Sequence, residues 1–200
     1  MRELVANVAV VAATLLTWVS LIPQLVKLAR TGDPEGVSAT WPAIGLVSNV
    51  AWVVYLSGRG LWAAVPAAVV MALFYGLVIR ALALAGKPIR AAVIRGLLWS
   101  VGLTGLTVGA GWDGLGAGLV WSYAVQVAPA VYEVYRSSAP TGVSAGTWWI
   151  VTAEAALWGV YGWLLADLPI VAYAVVGITS GAVILIRLAA HRRRPAFQVP

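Results

Sequence analysis

The chain has 200 residues, 62% of them hydrophobic and 10% charged, with a mean hydropathy of +0.91 and a formal net charge of +6. A domain that faces water is about a quarter charged, so this composition excludes a soluble globular fold and assigns the chain to a bilayer. There is no cysteine and a single histidine, His191, which excludes disulfides and thiolate metal sites and leaves no expected metal or other cofactor.

About 20 apolar residues cross a hydrocarbon core as a helix, and seven stretches qualify. The first, 4–29, follows Arg2 but is too long for a signal-peptide core. It contains Pro23, which frees the carbonyl of Val19, with Gln24 beside it as a donor. After the break "RTGDPEG", the second span, 38–57, carries Pro42, Ser48, Asn49 and Trp52. "LSGRG" separates it from the third, 61–83, and "AGKPIR" separates that from the fourth, 92–110. Beyond "GWDG" the fifth span, 114–135, holds Gln126 and Pro129, the latter freeing the carbonyl of Val125. "RSSAP" leads to the sixth, 144–165, and the seventh occupies 168–189. The runs are continuous rather than alternating, which excludes an outer-membrane barrel. Asp113 and Asp167 fall beside helix starts and read as caps.

Charge sets the orientation. With seven spans, one side of the membrane receives two cations, Arg2 and Arg59. The other receives eleven, namely Lys27, Arg30, Arg80, Lys87, Arg90, Arg95, Arg136, Arg187, Arg192, Arg193 and Arg194. The positive-inside rule then places the N-terminus outside and the C-terminus in the cytoplasm, in the plasma membrane. The basic "HRRRP" tail and the pI of about 10.1 read as topology signals and partners for anionic lipid heads, not as a nucleic-acid surface.

The chain repeats itself. Shifted by 106 residues without a gap, positions 23–57 meet 129–163 with 11 identities: Pro23, Arg30, Pro34, Gly36, Val37, Ser38, Ala39, Ile44, Trp52, Val54 and Tyr55. A biased composition supplies matching Ala and Val, but not paired Pro, Arg, Trp and Tyr in one frame. The shift steps over four spans, an even number, so both copies cross in the same direction. The expected fold is an all-α membrane protein of seven helices as 3+1+3, two parallel three-helix repeats joined by an inversion linker. Its divisions are 1–86, a linker helix at 87–111, 112–190, and a basic tail at 191–200. Solute sites in such architectures lie near the midplane between the repeats, and one chain suffices for a complete path, with homo-oligomers also possible.

The "IPQLVKL" of the first span, the G-V-S phrase after each loop, and "WVVY" and "WGVYG" in spans two and six resemble the SWEET and SemiSWEET sugar transporters of the PQ-loop superfamily. The resemblance implies a seven-span sugar uniporter with proline hinges, here matched by Pro23, Pro42 and Pro129. The fourth hinge position falls near Trp148, which is not proline. It also implies that Trp52 and Trp158 face the bound sugar. The family's Asn, about sixteen residues after each Trp, falls on Ala68 and Ala174.

Glu154 stands four residues before Trp158, one turn away on the same helix face, and its repeat equivalent is Ser48, beside Asn49. An intramembrane carboxylate faces a cavity or a partner and marks function by default. The substrate-facing set is therefore Trp52, Trp158, Asn49, Ser48, Glu154, Ala68 and Ala174, with Pro23, Gln24, Pro42, Gln126 and Pro129 as hinge or gating residues. Lys27 and Glu133 align in the repeat frame near the cytoplasmic ends and read as a gate pair or as snorkelling charges. The leading function is sugar uniport by alternating access. The alternative is a proton-coupled or cation-selective amine or amino-acid carrier using Glu154, and a third reading is a non-transporting receptor. No nucleophile–base set, metal cluster or phosphate loop supports an enzyme.

Overall fold

The computed structural model describes residues 1–31, 39–137 and 143–192, with the side chains of 21–31 and 192 left aside. The side chains of Pro23, Gln24 and Lys27, the first G-V-S phrase, Gly142 of the second and the end of the basic tail lie outside the described residues. Among those described the fold is all helical: α1 Arg2–Thr31, α2 Thr40–Gly58, a 3₁₀ turn Trp62–Ala64, α3 Val65–Leu84, α4 Arg90–Arg136, α5 Ala145–Leu165 and α6 Leu168–Arg192. Five of these helices, α1 to α4 and α6, are long and apolar enough to cross a membrane. The exception is α5. Its 21 residues reach about 31 Å, but Trp148, Trp149, Trp158, Trp163 and Glu154 dilute its apolar character.

Six helices stand where seven stretches are read from the sequence, because the fourth and fifth stretches form one element. Within α4 the helix breaks at Ala110 (φ −138°) and Gly111 (φ 61°, ψ −143°), a backbone state open to glycine. Trp99 Nε1 donates to Ser122 Oγ at 2.9 Å. A continuous helix would hold those residues about 34 Å apart. The two limbs therefore fold back on each other, and Leu103 packs where Gly118 has no side chain. The apolar pattern reads the limbs correctly but assigns "GWDG" to a loop. The reversal needs only two residues.

Two prolines differ from the mid-span hinge reading in different ways. Pro42 is the third residue of α2 and fully buried. In the first turn a helix has no N–H bond to lose, so Pro42 sits at the start of α2 without breaking it. Pro129 does sit inside α4, yet the backbone there stays helical and the break lies 18 residues earlier.

The repeat frame has a direct structural counterpart. At the end of α2, Leu61 N bonds Leu56 O (2.8 Å) and Gly60 N bonds Ser57 O (3.1 Å). At the end of α5, Asp167 N bonds Gly162 O (2.9 Å) and Ala166 N bonds Trp163 O (3.2 Å). These are the same Schellman turn 106 residues apart. The left-handed residue is Gly60 (φ 73°) in the first and Ala166 (φ 55°) in the second. A left-handed alanine costs about 1–2 kcal/mol, so Ala166→Gly is expected to stabilise the fold by about 1 kcal/mol. Thermal unfolding in detergent would register this as a raised Tm, and a lowered Tm would contradict it.

The apolar core is joined at one end of the bundle and divided at the other. Near the N-terminus of α1, one cluster includes Val10 and Ala13 of α1, Tyr55 and Leu56 of α2, Leu119 of α4, Trp158 and Tyr161 of α5 and Ile170 of α6. Toward the opposite end two clusters replace it. Phe74, Tyr75, Val78 and Leu82 of α3 pack with α2 residues, and Val134, Ile184 and Leu188 pack with Ala145 and Trp148.

Candidate functional site

Where the joined core ends, the helices enclose a cavity of about 250 Å³. Its walls come in pairs at the 106-residue offset: Thr17 with Tyr123, Ser20 with Gln126, Ser48 with Glu154, Trp52 with Trp158, and Ala67 with Tyr173. Only the tryptophans are identical. The cavity is therefore symmetric in position and asymmetric in chemistry, with hydroxyls on one half facing a carboxylate, an amide and two phenols on the other.

Glu154 is the focus of the polar wall. Its Oε1 accepts from Thr17 Oγ1 of α1 at 2.6 Å and from Trp158 Nε1 at 3.3 Å. Both donors hold the carboxylate toward the lumen, where burial without such bonds is costly. Trp158 is 8% exposed, so its ring is wall and not membrane belt. Trp52 stands edge-on to Tyr55 and Tyr173 (centroids 5.5 and 5.9 Å), while Tyr173 stacks on Tyr123 (4.1 Å, 25°). Opposite Glu154, Ser48 is 2% exposed and its Oγ has no hydrogen-bond partner. Asn49 donates to the Gly45 carbonyl at 2.8 Å, leaving its oxygen for the cavity it lines.

Of the substrate-facing set read from the sequence, Trp52, Trp158, Asn49, Ser48, Glu154 and Ala68 all border this cavity. Ala174 does not: it is 2% exposed and packs against Gly159 of α5, and the next residue back, Tyr173, takes the wall position. Counting sixteen residues forward lands on the right helix but one residue off its inner face. Gln126 also differs from its expected use. Its Nε2 donates to the Ser122 carbonyl at 3.1 Å, not to the carbonyl that Pro129 frees, and the side chain lines the cavity. Thr17, Ser20, Tyr123 and Tyr173 were not anticipated. The gapless offset carries the signal for the first three, since it pairs a polar or phenolic residue with another at each position.

At the end where the core is joined, polar contacts clasp the helices. Asp167 is buried in the turn before α6, where its Oδ1 caps the helix by accepting from Ile170 N at 3.1 Å, as its place in the sequence suggests. Its Oδ2 accepts from Tyr55 Oη of α2 at 2.9 Å and lies 3.6 Å from Arg59 Nε. Beside it Arg2 donates to the Leu164 carbonyl at the end of α5. Trp112, just past the reversal in α4, fills the space left by Gly58 of α2. At the other end the described cations gather: Arg95 donates to Thr40 Oγ1 at 2.6 Å, Arg187 to the Ser137 carbonyl at 3.2 Å, and Arg136 lies over the Tyr132 ring.

The segment that forms α1, α2 and the turn between α2 and α3, residues 5–64, matches the family model described as the PQ loop repeat. The match takes in 60 of the chain's 200 residues. A solved structure of a eukaryotic SWEET transporter superposes on this protein with a TM-score of 0.77, covering 96% of this chain and 99% of that one at 15% identity. At that identity the likeness establishes the fold. No curated protein matches the sequence significantly. The fold neighbour is a transporter, and neither match points to an enzyme. The chain's several apolar helices and its fold make it a multi-pass membrane protein.

Proposed function

We propose that this protein carries a small polar solute across the plasma membrane by alternating access between two parallel three-helix units in a 3+1+3 layout. The units are 1–86 and 112–190, and residues 87–111, which contain the first limb of α4, are the linker that returns the chain to the starting side. The supporting observation is the division of the core. The units share one apolar cluster on the Arg2 side of the cavity and keep separate clusters beyond it. A cavity sealed at one end and bordered by independent bodies at the other is one of the two end states of a rocking carrier. By the positive-inside rule the sealed end is outside, with the N-terminus, and the C-terminus is cytoplasmic. The clasp of Asp167 with Tyr55 and Arg59 is the outer closure.

Sugar uniport is supported by the SWEET-like fold and by two tryptophans on opposite units, whose rings offer faces to an apolar sugar surface. A proton-coupled or cation-selective carrier is favoured by one specific observation, the carboxylate of Glu154 held at the cavity wall by Thr17 and Trp158. Uptake of radiolabelled glucose into proteoliposomes separates these, first at matched pH and then with an acidic exterior. Saturable uptake indifferent to the gradient supports uniport, and gradient-enhanced uptake supports coupling. Absence of saturable uptake overturns the sugar reading.

A further inference from the structure

Within the cavity Glu154 is the one acidic or basic side chain among the described lining residues. The groups that face it from the surrounding helices are neutral donors or phenols: Thr17 of α1, Tyr75 of α3, Tyr123 of α4 and Tyr173 of α6. The ion pair found among the described residues, Arg59–Asp167, belongs to the clasp. A carboxylate buried without a cation either takes a proton or waits for a positive ligand. Both described hydrogen bonds go to Oε1, so neither consumes Oε2.

The rest of the wall suits a positive ligand. The indoles of Trp52 and Trp158 come from the two units and the phenols of Tyr123 and Tyr173 stack beside them. Aromatic faces around an anion form the surroundings that hold ammonium groups, whose attraction to a ring grows as water is excluded. At about 250 Å³ the space is below the range for drug-sized ligands. On the opposite unit, the unpartnered and buried Ser48 hydroxyl offers a hydrogen bond to the far end of whatever binds.

Resting on the transport reading above, we infer that the solute is a small organic ammonium ion carrying a hydrogen-bonding tail, and that this ion and a proton compete for the Glu154 carboxylate. The ammonium group sits against Glu154 between the aromatic walls, and its tail reaches Ser48. Charge balances without a co-reactant: the protonated carboxyl releases one proton as one ammonium ion arrives. Over a full cycle the site exchanges one proton for one organic cation.

The test uses the full-length protein purified in detergent, titrated calorimetrically with ethanolamine, choline and glucose at pH 8 and pH 5.5. Ethanolamine or choline is expected to bind more tightly at pH 8, and at least tenfold more weakly at pH 5.5, where binding displaces a proton from the carboxyl. Glu154→Gln, nearly isosteric, is expected to weaken binding at least tenfold at pH 8 and to remove the pH dependence. Thr17→Val removes one donor to the carboxylate, favours its protonated form, and is expected to move the midpoint of the pH dependence upward. Should Glu154→Gln fail to fold, the Thr17→Val shift decides alone. Ammonium binding that ignores pH or survives Glu154→Gln overturns the inference. Binding of glucose without either ammonium ion overturns it while leaving the transport reading intact. Binding of none of the three, with no uptake in vesicles, overturns both.

Discussion

Replacing Asp167 by Asn is expected to unlock the clasped end of the protein, the outer one in the proposed orientation. The aspartate is buried and receives Tyr55, Ile170 and Arg59 together. Asparagine keeps the shape and the cap but loses the charge opposite Arg59. Breaking a buried charge pair from one side costs about 3 kcal/mol, less here because Arg59 is 41% exposed at its side chain. Ala64 is fully buried in the shared cluster and borders the cavity, and the natural chain has no cysteine. A single Ala64→Cys substitution therefore reports access. In that background, Asp167→Asn is expected to raise labelling by an impermeant thiol reagent from outside at least tenfold. Tyr55→Phe, which deletes only the hydroxyl, is expected to do so more weakly. Equal labelling rates with and without Asp167→Asn would mean that the clasp is only a helix cap and not a closure.

Trp158 is expected to be the most sensitive position in the wall. Its truncation to alanine removes a ring that is 8% exposed and the Nε1 donor to Glu154, a change that costs about 3–5 kcal/mol in a packed core. Uptake of the transported solute is expected to fall at least tenfold beyond any loss of folded protein. Trp158→Phe narrows the comparison, since it keeps an aromatic face while losing the donor and part of the ring. Its fold is expected to remain close to wild type in thermal unfolding while uptake falls by an intermediate amount. Normal uptake by a folded Trp158→Ala protein would place the ring outside the path.

The helices were readable because lipid leaves little freedom. Continuous apolar runs end where Gly, Pro and charge begin, and the helix ends fall within a few residues of those marks, as at Gly58, Leu84 and Leu165. The reversal at Gly111 was not readable, since "GLTVGAGWDGLG" offers several glycines and only tertiary packing chooses which one takes the left-handed state. In the cavity, Glu154 and Trp158 could be paired from their spacing because one helix fixes both. The Thr17 hydroxyl, 137 residues from Glu154, could not, since no local rule relates α1 to α5. The Asp167 cap was local and legible. Its bond to Tyr55 spans 112 residues and was not. Ala174 was misplaced for a rotational reason: one residue turns a helix position by about 100°, enough to exchange a wall residue for a packing one.

The reversal in α4 also bears on how the protein is made. Between Arg95 and Glu133 the chain carries a single charge, Asp113, and the turn between the two limbs is two residues long. With no polar loop to thread across the bilayer, both limbs can enter together as one preformed hairpin, their backbone groups satisfied within each limb and Trp99 already bonded to Ser122. In the proposed 3+1+3 layout, biosynthesis would then deliver the second unit to the membrane already facing the same way as the first, with the linker limb acting as its insertion partner.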